Sequence, residues 1–193
     1  MTKNRSVLIG CALLALTGCG GLQEVWEGPS AETFRPKTIA VLPPIVGPYE
    51  GARELSHAAL STALTKTGRY VSVISPSQVV SAFTLKESSD TLAAYYSKLE
   101  TTGQSDPEMA SKIGKLVQAE ALLVLKVNNW EHSRAEGENY GKVGLGLRLI
   151  DASNGAMVWK ARHDKVETYS MFKPALKDIA EDLSKEMAKH MPR

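Results

Sequence analysis

The chain has 193 residues, of which 43% are hydrophobic, 23% charged and 6% aromatic. That balance excludes disordered, collagenous and low-complexity classes, and the length suits one domain. The 23 basic residues include Lys3 and Arg5 in a start that holds no acid, so 21 basic residues face 21 acidic ones in the remainder. A nucleic-acid role therefore finds no support in net charge.

Residues 1–18 have the three-part order of an export signal: Lys3 and Arg5, an apolar run over 7–16, then small residues. The run is far shorter than the roughly 20 residues of a spanning helix. Leu16-Thr17-Gly18-Cys19 ends it and resembles the lipobox of bacterial lipoproteins. That resemblance implies recognition of Leu16, Thr17 and Gly18, lipid transfer to the Cys19 thiol, cleavage before Cys19 and acylation, as by palmitate, of the freed amine. Cys11 leaves with the leader, so the mature chain has no disulfide and no cysteine metal site. By resemblance to lipoproteins of two-membrane bacteria, Gly20, where an aspartate would retain the protein in the inner membrane, implies the outer membrane, with the domain facing the periplasm or, as the alternative, the cell surface.

Residues 19–36 read as a lipidated tether, with Gly20-Gly21, Gly28-Pro29-Ser30 and Pro36. Fully extended, such a segment reaches about 55 Å. Val25, Trp26 and Phe34 are too apolar for a purely solvated spacer. They pack back on the domain, lie at the lipid interface, or dock a partner.

A single α/β domain is expected over 37–193. Residues 38–42 form a short apolar strand stopped by Pro43-Pro44. Residues 52–67 carry Ala52, Leu55, Ala59 and Ala63 at helical spacing, with Gly68 as the stop. Residues 70–74 make a second strand. Ser75-Pro76-Ser77-Gln78 has the form of a capping box and opens a helix to about Phe83. A further helix covers 90–99. Another starts at Ser105-Asp106-Pro107-Glu108 and carries Met109, Ile113, Leu116 and Val117. Residues 121–127 are apolar except for Lys126 and read as a central strand. Residues 131–139 are polar and read as a loop. Val143, Leu145, Leu147 and Leu149 alternate with small or polar residues as a strand with one buried face. Asn154-Gly155 marks a turn, and Met157, Trp159 and Ala161 lie on the return strand. Residues 170–190 close the chain as an amphipathic helix. The order β-α-β-α-α-α-β-β-β-α predicts a mixed five-stranded sheet covered by helices, parallel early and a meander late.

Lys37-Thr38-Ile39-Ala40-Val41-Leu42-Pro43-Pro44 resembles the opening strand of an α/β domain found in many bacterial envelope lipoproteins. Leu149-Ile150-Asp151, Asn154-Gly155 and Val158-Trp159 resemble its closing hairpin, and 119–124 the strand between them. These are features of lipoproteins similar to CsgG, to LpoB and to the amino-terminal domain of TolB, over about residues 37–165. The resemblance implies adaptor work in secretion or envelope assembly and supplies no catalytic residue. Unlike the CsgG pore subunit, this chain has no pair of alternating apolar segments of about 9–11 residues at which membrane-crossing hairpins could be inserted.

No motif for chemistry emerges. His57, His132, His163 and His190 fall on different elements without metal-ligand spacing. Ser170-Met171-Phe172-Lys173 and Lys66-Thr67-Gly68 match two penicillin-binding motifs, but in reversed order and without Ser-Asp-Asn. The expected protein is thus a non-enzymatic outer-membrane lipoprotein, with no cofactor and no metal, that binds envelope proteins. The alternative is a homo-oligomeric subunit of a CsgG-like secretion apparatus without a barrel of its own. Loops carry function more often than scaffolds, which makes Trp130, Arg134 and Tyr140, in and beside the 131–139 loop, the candidate partner-binding residues.

Overall fold

In a computed structural model of the chain, residues 21–86 and 89–192 are described. The export signal, with Leu16, Thr17, Gly18 and Cys19, lies outside the described residues.

The elements run β1 (Glu24–Glu27), β2 (Thr38–Val41), a 3-10 turn (Glu50–Ala52), α1 (Arg53–Thr67), β3 (Ser72–Ile74), α2 (Pro76–Leu85), α3 (Ser89–Thr102), α4 (Pro107–Val117), β4 (Ala121–Ala135), β5 (Glu138–Asp151), β6 (Met157–Tyr169) and α5 (Leu176–His190). They build one mixed sheet in the order β1-β6-β5-β4-β2-β3. β2 runs parallel to β3 and β4, as the helical crossovers require, and β4, β5 and β6 form an antiparallel meander.

The helix starts follow from local chemistry. Ser75 Oγ accepts from the Gln78 N–H, and Gln78 Oε1 accepts from the Ser75 N–H at 2.8 Å, a complete capping box ahead of Pro76. Asp106 Oδ1 accepts from the Met109 N–H at 2.8 Å and caps α4 in the same manner. Gly68, at φ 65°, closes α1 in the left-handed conformation that suits glycine.

Two apolar cores lie on opposite faces of the sheet. On the first face, α1 and α5 cover Ile39, Val41, Leu123, Leu125, Leu145, Leu147 and Trp159. On the second, α2, α3 and α4 cover Ala40, Leu42, Leu122, Val124 and Ile150. β2, β4 and the near end of β5 are thus buried on both sides, which is why 38–42 and 121–125 read as unbroken apolar runs.

Three expectations change. The sheet has six strands, not five, because Glu24–Glu27 pairs antiparallel with β6, Glu24 opposite Arg162 and Glu27 opposite Trp159. All four β1 residues are exposed, so the strand carries no apolar alternation to betray it. Residues 21–36 are correspondingly not a free spacer: Leu22 and Phe34 pack against the first core, one of the three placements expected for Phe34, while Val25 and Trp26 stay exposed. Residues 131–139 are not a loop. β4 and β5 stay paired to Ala135 opposite Glu138, and the connection is Glu136-Gly137 alone, with φ 53° and 87°. Positive φ at both central residues is the type I′ pattern, whose twist matches the strands. Finally, the last helix begins at Leu176, since Pro174 stands before it and residues 170–175 are irregular.

Candidate interaction surface

β4, β5 and β6 have 15, 14 and 13 residues, against four in β2 and three in β3. The meander therefore projects beyond the parallel part of the sheet. Its first face is still covered near the projecting end. Gly141 allows this: a Cβ there would lie 3.0 Å from Ile179 Cδ1 and 3.2 Å from Pro174 Cγ. His132 holds the same junction, with its Nε2 2.8 Å from the Pro174 carbonyl oxygen and its ring edge-on to Tyr169.

The second face is different. Helical cover ends near Val124 and Ile150, and past them the sheet opens into a cleft of about 470 Å³. Lys126, Arg148, Lys160 and Arg162 line it, with Glu24, Trp26 and Asn128. Gly146 contributes no side chain to its floor. Lys126 and Arg148 both grip Glu100 of α3, Arg148 at 3.0 Å. Partial burial would raise the Glu100 pKa; the two cations overcome this and hold the carboxyl below its ordinary range. Lys160 Nζ stands 5.6 Å from the centre of the Trp26 ring. Arg162 lies 3.7 Å from Glu24. Four cations against Glu24, Glu100 and Asp164, the last 3.9 Å from Arg162, leave the cleft positive by one charge.

The structure separates the three sequence-picked residues. Trp130 pairs with Val143 and Arg134 with Asn139, on the α5 face; Tyr140 pairs with Ser133 and Thr168, on the open face. Paired residues share a face and successive residues alternate, so Trp130 and Tyr140 point opposite ways. Trp130 is half-buried against the first core, Arg134 is exposed and Tyr140 is half-buried. They do not make one patch around a loop. The cleft residues went unrecognised because Lys160 and Arg162 read as the solvent side of an alternating strand. Only the pairing of Glu24–Glu27 with that strand turns them into a wall.

The histidines sit on four different elements, though His163 and His190 both meet Glu186. His57 meets Glu54 at 2.7 Å, His163 lies 3.5 Å from Glu186, and His190 Nδ1 lies 3.0 Å from the Glu186 carbonyl oxygen. Among the described residues no group of three or more His, Cys, Asp and Glu could hold a metal ion, and no helix is long and apolar enough to cross a membrane.

No protein-family model matches the chain, and no curated protein matches it in sequence. Solved structures do resemble it. The PelC dodecamer from Paraburkholderia phytofirmans is 20% identical with a TM-score of 0.56, covering 88% of this chain and 96% of that one. Lipoprotein GNA1162 from Neisseria meningitidis is 20% identical with a TM-score of 0.54, covering 80% and 99%. A Xanthomonas campestris protein of the DUF330 family model is 10% identical with a TM-score of 0.52, covering 86% and 88%. The expected likeness to CsgG, LpoB and the TolB amino-terminal domain is thus met only in its coarser form. At these identities the likeness is one of fold: an α/β domain shared with these structures, lipoprotein GNA1162 among them.

Proposed function

We propose that this chain is a non-enzymatic lipoprotein of the outer membrane, anchored through Cys19, whose domain faces the periplasm and binds envelope proteins. The observation that carries the reading is the projecting meander. A sheet face normally needs cover, and here, among the described residues, the second face of β4, β5 and β6 has none beyond Val124 and Ile150. A positive cleft with Trp26 on its rim is suited to a protein partner, since aromatic anchors with charged surroundings dominate interface energetics. The lipobox residues support the anchor, and the shared fold with lipoprotein GNA1162 agrees with it.

Self-association is the second reading, favoured by the likeness to PelC, whose structure is a dodecamer. In this reading copies of the chain assemble into a closed oligomer without a barrel of their own.

One experiment addresses both. Site-directed crosslinkers placed at Lys160, Arg134 and Tyr140 in cells should capture partners at Lys160 and at whichever sheet face is engaged. Capture of a second copy of this chain favours the oligomer, and capture of another envelope protein favours the adaptor. A protein that stays monomeric by sedimentation in detergent and yields no adduct from any of the three positions is not an interaction module.

A further inference from the structure

The largest exposed apolar side chains on the molecule include Met171 and Phe172, at 84% and 85% exposure. They sit in the short connection between β6 and α5. Nothing in the core needs them there, and the neighbouring Pro174 is already held by His132. Unlike the equally exposed but isolated Val71 and Leu85, they are adjacent and form a small apolar patch.

Their place in the fold identifies the contact. β1 is antiparallel to β6, so the chain read backwards from Glu24 travels in the direction in which β6 runs toward Tyr169. Gln23 continues that course: its Oε1 accepts from the Asp164 N–H at 3.0 Å, and its own N–H points to His163 Nδ1. Leu22 is still packed on the first core. Cys19 is three residues before Leu22, a reach of at most about 11 Å. From a position level with Asp164, five residues short of Tyr169, the amino-terminal segment is therefore directed toward the end of the sheet that carries the loop. β6 ends opposite Asn139, at the Glu136-Gly137 turn, and Met171 and Phe172 follow immediately. The other end of the sheet, where Val71 precedes β3, lies a whole strand away, about 45–50 Å along β4.

From this juxtaposition, and resting on the lipid-anchor reading, we infer that Met171 and Phe172 are a second membrane contact, seated in the bilayer interface that holds the Cys19 acyl chains. The docking is apolar rather than electrostatic, because the exposed charges around it balance, Glu136 and Glu138 against Arg134 and Lys173. The occupant is thus the acyl–headgroup boundary of a bilayer of low surface charge. Lipid at Cys19 and side chains at the loop act as two points that fix the domain end-on, with the open face of β4, β5 and β6 rising from the membrane.

The test uses acylated, detergent-purified protein reconstituted into phosphatidylcholine vesicles, with and without brominated acyl chains. Phe172→Trp and Val71→Trp are compared by difference against the parent, which already carries Trp26, Trp130 and Trp159. The expected result is a blue-shifted emission from position 172 that loses intensity in brominated vesicles, and no loss from position 71. Equal quenching at both positions, or none at 172, overturns the docking. A blue shift at 172 that depends on protein concentration and not on bromine also overturns it and assigns the loop to a second copy. Mass analysis of the amino-terminal peptide is run on the same sample. An unlipidated Cys19 removes the anchor reading and the docking with it, whereas a lipidated Cys19 with an unquenched Trp at 172 removes the docking alone.

Discussion

At the scale of single residues, Trp159 anchors the first core. It is fully buried, directly opposite Glu27 of the edge strand and Leu149 of β5. Trp159→Ala removes the largest buried side chain of the meander and should cost about 3–5 kcal/mol in chemical denaturation. A loss under about 1 kcal/mol would mean that the site collapses to refill the space. Glu100 gives a pH signature. Its carboxyl is held below the ordinary value of 4.5 by Lys126 and Arg148, which more than offset its partial burial. A depressed folded pKa stabilises above the unfolded value and is lost as pH falls through the folded one. Unfolding measured from neutral pH downward should therefore show a stability loss beginning below about 4.5, and Glu100→Gln should flatten it. An unchanged acid limb in Glu100→Gln would place the loss elsewhere.

At the scale of elements, α5 depends on a residue far from it in sequence. Arg69, just past the end of α1, donates to the carbonyl oxygens of Ala188, Lys189 and Met191 at 2.9–3.1 Å. A guanidinium on the last turn satisfies free carbonyls and opposes the negative end of the helix dipole. Arg69→Ala should lower stability by about 1–2 kcal/mol, seen as earlier hydrogen exchange in 185–190 than in α1. Equal protection in both variants would show that Lys189 and His190 suffice. Elements were legible where the cause was local. The Ser75-Pro76-Ser77-Gln78 box, the Asp106 cap and the apolar strand from Ala121 were all readable because the signal lies within a few residues. β1 and the far half of β4 were not. Glu24–Glu27 is an exposed edge held by backbone pairing to β6, and 131–135 is polar on both faces. In both, long-range ladder hydrogen bonds override a sequence that looks like loop. The interaction surface was the least legible part for the same reason: Trp130 and Tyr140 are close in sequence to one turn, yet strand register puts them on opposite faces.

At the scale of the whole molecule, the chain is an asymmetric slab. One end carries the parallel strands with helices on both faces. The other is a three-stranded meander that the described residues cover on one face only, and β1, read backwards, points along β6 toward that end. A spacer of up to about 55 Å would have let the domain roam. Instead Leu22 and β1 leave only a few residues between the sheet and Cys19, so an acylated Cys19 keeps the domain against the membrane. The proposed orientation of the open face, its access to partners and the proposed second contact at Met171 and Phe172 all depend on that modification. The most direct measurement is therefore metabolic labelling with palmitate of cells making the native chain and Cys19→Ser, followed by membrane fractionation. A lipid anchor at Cys19 in the outer membrane should give label and outer-membrane recovery for the native chain, and unlabelled, uncleaved protein for Cys19→Ser. Label persisting on Cys19→Ser, or native protein recovered unlabelled and free of membrane, would contradict it.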